Sequence, residues 1–155
     1  MSFVRGTSLQ GFLELVRELG DDPVPLLALS HVPIDAVGDQ DRFIDYRSVI
    51  TTLETAATVT GTPDFGRRLA LRQGLDILGP VGIAARTAAT VGAAFEAIDQ
   101  YMSVYSPALS AIIDPQPTAR HARFEWSLAV PRPIVHRQVA ELALGEIDAD
   151  ISVSL

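Results

Sequence analysis

The stretch LGPVGIAARTAATVGAAFEAIDQYMSVYSP, residues 78–107, decides the fold class because its apolar residues recur at helical spacing until Pro107. Gly79-Pro80 predicts a short helix over 80–86, since proline is favoured in the first turn of a helix. Thr90 predicts the cap of a longer helix over 91–104. Glycine and alanine make both helices slim, so we expect them to pack closely against their neighbours.

After Pro107 the hydrophobic period changes from that of a helix to that of a strand. ALSAIID (108–114) is one candidate strand, and ARHARFEWSLAV (119–130) is a second with clean alternation. Its predicted apolar face contains Ala122, Phe124, Trp126, Leu128 and Val130. The two strands predict an antiparallel hairpin, which must pack on helices or pair with further strands because a lone hairpin is marginal.

The chain before residue 78 also carries helix signals. The predicted helix starts are Thr7 or Ser8, Asp22-Pro23, Asp45 and Thr62-Pro63, since each places a capping side chain before an apolar stripe. Pro133 predicts the start of a last helix over 134–144. The predicted fold class is therefore α+β, with a helical N-terminal two-thirds followed by an antiparallel β-hairpin and a C-terminal helix.

Composition restricts the function. The 155 residues predict one domain, and a net charge of −7 argues against a nucleic-acid surface, which needs a basic patch. The sequence has no cysteine, which excludes disulfides and thiolate metal sites. Its first 19 residues resemble neither a signal peptide nor a membrane span, so we expect a cytoplasmic protein with no membrane partner.

Motifs that carry catalysis are missing from the sequence. It contains no phosphate-binding loop, no dinucleotide fingerprint and no G-x-S-x-G nucleophile turn. His31, His121 and His136 have no partner at metal-ligand spacing. We therefore predict no catalytic residue, no metal ligand and no cofactor, and a protein that is not an enzyme.

Four side chains are candidates for ligand binding: Arg86, Tyr101, Tyr105 and Trp126. The aromatic residues fit either core packing or the wall of a ligand cavity, which needs apolar walls and a few polar groups. Arg86 ends the short helix, where it can face an anionic ligand or stabilise the last carbonyls of that helix. Both interpretations stay open for each residue.

Four segments in order resemble one family. They are IDYRSVITTLE (44–54), GTPDFGRRLA (61–70), the stretch at 78–107, and RFEWSL followed by RQVAELALG (123–145). Together the sequence resembles the N-terminal effector-binding domain, arabinose-binding-domain-like, of AraC/XylS-type transcriptional regulators. The resemblance predicts a regulatory domain over 1–145, incomplete at its end, and a divergent tail over 146–155.

The resemblance implies effector sensing and oligomerisation. In this family the domain precedes two helix-turn-helix motifs, which these 155 residues lack, so we expect no direct nucleic-acid binding. The expected partners are an unknown small-molecule effector and a second copy in a homodimer. An alternative is a truncated interaction protein that heterodimerises with a full-length regulator and modulates it, and a small enzyme is a third. Slim helices would serve as a two-state element that reports occupancy.

Overall fold

The structure is a computed structural model that describes residues 2–115, 122–131 and 134–153. It confirms the α+β class. Its helices are α1 (Phe12–Glu18), α2 (Pro23–Leu29), α3 (Tyr46–Val59), α4 (Phe65–Ala70), α5 (Pro80–Arg86), α6 (Val91–Tyr105) and α7 (Arg137–Val153). Its strands are β1 (Phe3–Arg5), β2 (Phe43–Asp45), β3 (Leu109–Pro115) and β4 (Ala122–Leu128), and short 3-10 helices lie at Gly6–Leu9, Ile34–Ala36 and Leu75–Leu78.

The predicted hairpin is confirmed. Strands β3 and β4 pair antiparallel with Ala111 opposite Trp126. Exposure alternates along β4 as its sequence predicts, and the half-buried face packs on α6, where the rings of Phe95 and Phe124 lie 5.5 Å apart. Helix α6 therefore supplies the apolar cover that the hairpin requires.

Local capping explains where several helices begin. The carboxylate of Asp22 accepts a hydrogen bond from Val24 N at 3.0 Å, and Pro23 follows it at the first helical position. Asp45 caps α3 in the same way, and the hydroxyl of Thr90 accepts from Ala93 N at 3.1 Å. These predicted starts are confirmed because each depends on residues within one helical turn.

Two predicted helix starts are wrong. Thr7 and Ser8 lie in a 3-10 helix, and α1 begins at Phe12 after Gly11, which has a left-handed φ of 81°. The Thr7 hydroxyl donates instead to the carbonyl of Ile77 at 2.7 Å, so its capping group is used in a tertiary contact. Similarly, α4 begins at Phe65, after Asp64. The Thr62 hydroxyl donates to the carbonyl oxygen of Thr60, so it does not cap this helix.

A second small sheet was not predicted. Strand β1 pairs antiparallel with β2, and Val4 and Ile44 point inward from it. Three-residue strands are too short to show a period of two. This N-terminal segment also joins distant elements, since the Ser2 hydroxyl donates to Ala129 O at 3.1 Å and the Ser106 hydroxyl donates to Phe3 O at 2.7 Å.

The last helix begins later than predicted and extends further. Residues 134–136 are not helical, Pro133 lies outside the described residues, and α7 starts at Arg137. It continues to Val153, through the boundary that the sequence places at residue 145. The division into a domain and a tail at that residue stays a prediction.

Glycine allows α7 to lie directly against α4. A Cβ atom on Gly66 would lie 2.0 Å from the carbonyl oxygen of Gln138, and one on Gly145 would lie 2.8 Å from the Cβ of Ala70. Neither position has room for a larger residue, since real Cβ contacts are never shorter than about 3 Å in packed interiors. The two helices are therefore in contact near both ends of α4.

Gln138 fixes the start of α7 through three hydrogen bonds. Its side-chain oxygen accepts from Gly66 N at 2.8 Å, and its side-chain nitrogen donates to Pro63 O at 3.0 Å. Its backbone N donates to Glu54 Oε1 on α3 at 2.8 Å. A carboxylate at a helix N-terminus satisfies an orphan N–H group, so Glu54 caps α7 from a different part of the chain.

We predict that Gly66→Ala lowers the free energy of unfolding by about 2 kcal/mol or more, because the added methyl group collides with the backbone of α7. Gly92→Ala is the matched control: it also changes the second residue of a helix, but its nearest neighbour would lie 3.9 Å away. That variant should be neutral or more stable by up to about 1 kcal/mol. Urea unfolding of both variants checks this, and equal effects would contradict the packing argument.

Candidate ligand-binding site

Arg86 lies at the surface. Its guanidinium forms an ion pair with Asp76 of the 3-10 helix Leu75–Leu78, with Nη1 2.8 Å from Oδ1, and about half of its side chain is exposed. Exposed pairs of this kind contribute little to stability. The observed partner is thus a carboxylate on a neighbouring turn, so an anionic ligand would compete with Asp76 for the guanidinium.

Tyr101 and Tyr105 do not share one environment, although they are one turn apart on α6. Tyr101 is 44% exposed, whereas Tyr105 is 4% exposed at the last residue of the helix. The face that carries both residues therefore passes from solvent into the interior toward the end of α6. Only Tyr105 is placed to contact a molecule inside the domain.

Trp126 points toward the core from the inner face of the hairpin. It is half-buried and packs against the hydrophobic core, and its ring centre lies 6.5 Å from that of His136. Trp126 therefore lies close to the segment that leads into α7. Of the four predicted contact residues, Tyr105 and Trp126 face inward, and Arg86 and Tyr101 face solvent.

Tyr105 belongs to a set of buried polar side chains that we call the interior polar cluster: Thr7, Ser8, Tyr46, Tyr105 and Glu146. Burial raises the pKa of Tyr105 well above its ordinary value, the charge of Glu146 and the neighbouring Tyr46 raise it further, and the hydroxyls of Thr7 and Ser8 counteract part of the rise. Burial also raises the pKa of Tyr46, and Glu146 again adds to the effect.

The pairing of α3 with α7 explains how this cluster forms. Glu54 of α3 meets Gln138 of α7, and Tyr46 and Glu146 each lie eight residues further along, in opposite chain directions. Eight residues correspond to about 12 Å of helix, so antiparallel helices bring Tyr46 and Glu146 to the same level. One carboxylate oxygen of Glu146 is buried there.

The sequence analysis missed four members of this cluster. Tyr46 follows the capping Asp45, and Thr7 and Ser8 were assigned as caps. Glu146 did carry a signal, because it lies four residues after Leu142 and so continues the buried stripe of α7. An acidic residue on an apolar stripe is a candidate for function, since burying a charge is costly.

The interior polar cluster contains both hydrogen-bond donors and acceptors. Tyrosine, threonine and serine hydroxyls both donate and accept hydrogen bonds, and an ionised carboxylate accepts them. Within residues 2–115, 122–131 and 134–153, no group of three or more His, Cys, Asp or Glu side chains is arranged to hold a metal ion.

Among the same residues, no helix is long and apolar enough to cross a membrane.

An α+β domain with hydroxyls and a carboxylate in its interior has the groups of a binding domain, and similarity to known proteins identifies its family. Residues 20–147 match the family described as the arabinose-binding domain of AraC transcription regulators, N-terminal. The chain belongs to this family, which confirms the predicted resemblance.

Named relatives agree with this assignment. The chain is 40% identical over 130 residues to the HTH-type transcriptional regulator VirS of Mycobacterium tuberculosis, in both strain CDC 1551 / Oshkosh and strain ATCC 25618 / H37Rv. The match covers 84% of this chain and 38% of the relative, in its N-terminal part. The chain therefore spans well under half the length of the curated relatives that it matches.

We predict that the free energy of unfolding falls as pH rises above about 10, by up to about 1.4 kcal/mol per pH unit for each buried tyrosine. The unfolded chain releases tyrosine protons near that pH, while Tyr46 and Tyr105 keep theirs in the folded state because their pKa values are raised. The sequence contains no lysine or cysteine, so no such side chain adds to this window.

Urea unfolding between pH 9 and pH 11 measures this slope, with Tyr46→Phe and Tyr105→Phe each expected to reduce it. Tyr101→Phe removes a hydroxyl at the surface and serves as the control. A slope that Tyr101→Phe reduces as much as Tyr105→Phe would show that burial is not its cause.

Proposed function

We propose that the chain is the effector-sensing and self-associating domain of an AraC-type regulator, and that it catalyses no reaction. The observation that carries this proposal is the family match over residues 20–147 together with the interior polar cluster, of which Tyr46, Tyr105 and Glu146 lie inside the matched region. Relatives named as transcriptional regulators support it. We also propose a cytoplasmic location, where a regulator meets both DNA and metabolites.

The effector contacts proposed are Tyr105 and Trp126 inside the domain, with Arg86 and Tyr101 at the surface. Tyr105 offers a buried hydroxyl and Trp126 offers an aromatic wall beside the entry to α7. Ligand sites commonly combine apolar walls with a few fixed polar groups, and these two side chains would supply one of each kind. Arg86 and Tyr101 are proposed to act only where a ligand extends to solvent.

Sensing requires a ligand to favour one of two conformations. Helix α7 is the element best placed to respond, because Glu146 belongs to the interior polar cluster while Gln138 holds the other part of the helix against α4. A ligand that bonds to Tyr105 or Glu146 would change the position or order of α7. Regulation of transcription is proposed to act through a DNA-binding helix-turn-helix part outside these residues.

One observation favours the alternative of an interaction protein that pairs with a full-length regulator. In the part of the chain that the structure describes, β3 and β4 form a sheet of two strands, so each strand has an outer edge. Unpaired edges recruit further strands. Such pairing could join this chain to a longer regulator.

We predict that a small molecule that raises the melting temperature of the domain also changes its tryptophan fluorescence, because Trp126 is the sole tryptophan. Tyr105→Phe should weaken the binding of that molecule about threefold to tenfold, because the substitution removes one hydrogen bond. Ser103→Ala removes an exposed hydroxyl from the same helix and serves as the control. A thermal-shift screen of a metabolite library supplies the ligand. Equal affinity of that ligand for the wild-type chain and for Tyr105→Phe would exclude this site.

We also predict a homodimer, which sedimentation velocity over a concentration series would detect. We place its interface on α7, where Leu144 is 52% exposed. Leu144→Asp should weaken association by about tenfold or more, because a charge in an apolar interface is costly. Leu29→Asp is the matched control at another exposed leucine.

A monomer at every concentration would contradict self-association. Co-elution of that monomer with a full-length regulator such as VirS would then favour the alternative function. Equal loss of association in Leu29→Asp and Leu144→Asp would place the interface elsewhere.

A further inference from the structure

A groove of about 420 Å³ lies between the second half of α3 and the first turn of α7. Its polar lining includes Glu54, Thr58, Arg137 and Gln138. We propose that this groove binds a small zwitterion, a molecule that carries both an ammonium and a carboxylate group, as a free amino acid does. This site is distinct from the interior polar cluster, which meets α7 eight residues further along, at Glu146.

Opposite charges lie close together in this groove. Glu54 Oε1 accepts from the backbone N of Gln138 at 2.8 Å, and Arg137 is the residue immediately before it. A carboxylate has two oxygens and several lone pairs, so Glu54 can accept from an ammonium while it caps the helix. Glu54 of α3 and Arg137 of α7 both line the groove, and together they supply the two charges that a zwitterion requires.

Arg137 is placed to receive the carboxylate. Its Nε donates to Glu141 Oε1 at 2.9 Å in an ion pair that directs the side chain along α7, and 66% of that side chain is exposed, so a ligand carboxylate would bind through the other N–H groups beside Glu141. A guanidinium carries five N–H donors in a planar fork and binds carboxylates in bidentate geometry. A neutral or purely cationic ligand would leave this group unused, so the zwitterion fits the lining better.

Small residues shape the rest of the groove. Ala57 is buried beneath it, and Gly61 has a positive φ of 62° with open space where a Cβ atom would lie. The volume falls within the range of about 300–1,000 Å³ that is usual for small-molecule sites. The space beside Gly61 and Pro63 therefore accommodates the side chain of an amino acid.

The groove is rigid on one side and linked to the packing of α7. The side chain of Gln138 is 3% exposed and is held by Gly66 and Pro63, so the backbone beside Glu54 is fixed before a ligand arrives. Preorganised sites lose less entropy on binding. Because Glu54 both caps α7 and would hold the ammonium, occupancy of the groove would stabilise the first turn of α7.

The test is a titration of the ¹⁵N-labelled chain with each of the twenty free amino acids, followed by amide chemical shifts. We expect at least one to bind with shifts centred on Gly61, Gly66 and Gln138. Its amide and its N-acetyl derivative, which each lack one of the charges, should bind about tenfold or more weakly.

Variants separate the groove from the rest of the domain. Glu54→Gln keeps an oxygen that can cap α7 but removes the charge, and it should weaken binding about tenfold or more, as should Arg137→Gln. Glu96→Gln and Arg17→Gln change exposed charges elsewhere and should leave binding unchanged. Preserved amide dispersion shows that each variant is folded.

Three results would overturn the proposal: no amino acid produces saturable shifts, either half-charged derivative binds as well as its parent, or the shifts centre on residues around Tyr105. The last result would still support effector sensing. Conversely, groove binding that Tyr105→Phe leaves unchanged would support this inference, and it would not count against binding of a different molecule at Tyr105.

Discussion

The contact of α7 with α4 and α3 is the constraint on which the rest of the structure depends. Gly66 allows the backbone of α4 to touch the first turn of α7, and the Gln138 side chain bonds to Gly66 N and Pro63 O at that contact. Glu54, on α3, caps the first turn of α7 by accepting a hydrogen bond from the backbone N of Gln138. Since the cap of α7 is supplied by a residue far away in sequence, the start of this helix at Arg137 depends on its contact with α3.

The same helix carries the buried carboxylate. Placing Gln138 against Glu54 determines the level of Glu146 along α3, and this brings Glu146 to Tyr46 and then to Tyr105 at the end of α6. Burial of a carboxylate and of hydroxyl groups costs free energy unless hydrogen bonds replace those made with water. The interior polar cluster therefore needs a helix whose position is fixed by independent contacts, and the glycines at 66 and 145 provide them.

Features decided within one helical turn were predictable from sequence, and features decided across the chain were not. Asp22, Asp45 and Thr90 cap helices as predicted, whereas the Thr7 hydroxyl bonds to Ile77 and the start of α7 depends on Glu54. For the site, the helical period placed Tyr101 and Tyr105 on one face of α6. The period does not show which part of that face is buried, so it could not distinguish exposed Tyr101 from buried Tyr105. Glu146 lay on the stripe of α7 and could have been found by asking which acidic residue the period buries.

A regulatory role demands only a small free energy from this arrangement. Coupling between two sites is typically about 1–3 kcal/mol, and a single net hydrogen bond contributes about 0.5–1.5 kcal/mol. The three hydrogen bonds of Gln138 therefore have the magnitude that is needed to link occupancy to the position of a helix. Because α7 extends from the groove at Glu54 to the buried carboxylate oxygen of Glu146, a ligand proposed at either place would act on the same helix. Under the proposed function, the signal is transmitted by changing which contacts of one helix are formed.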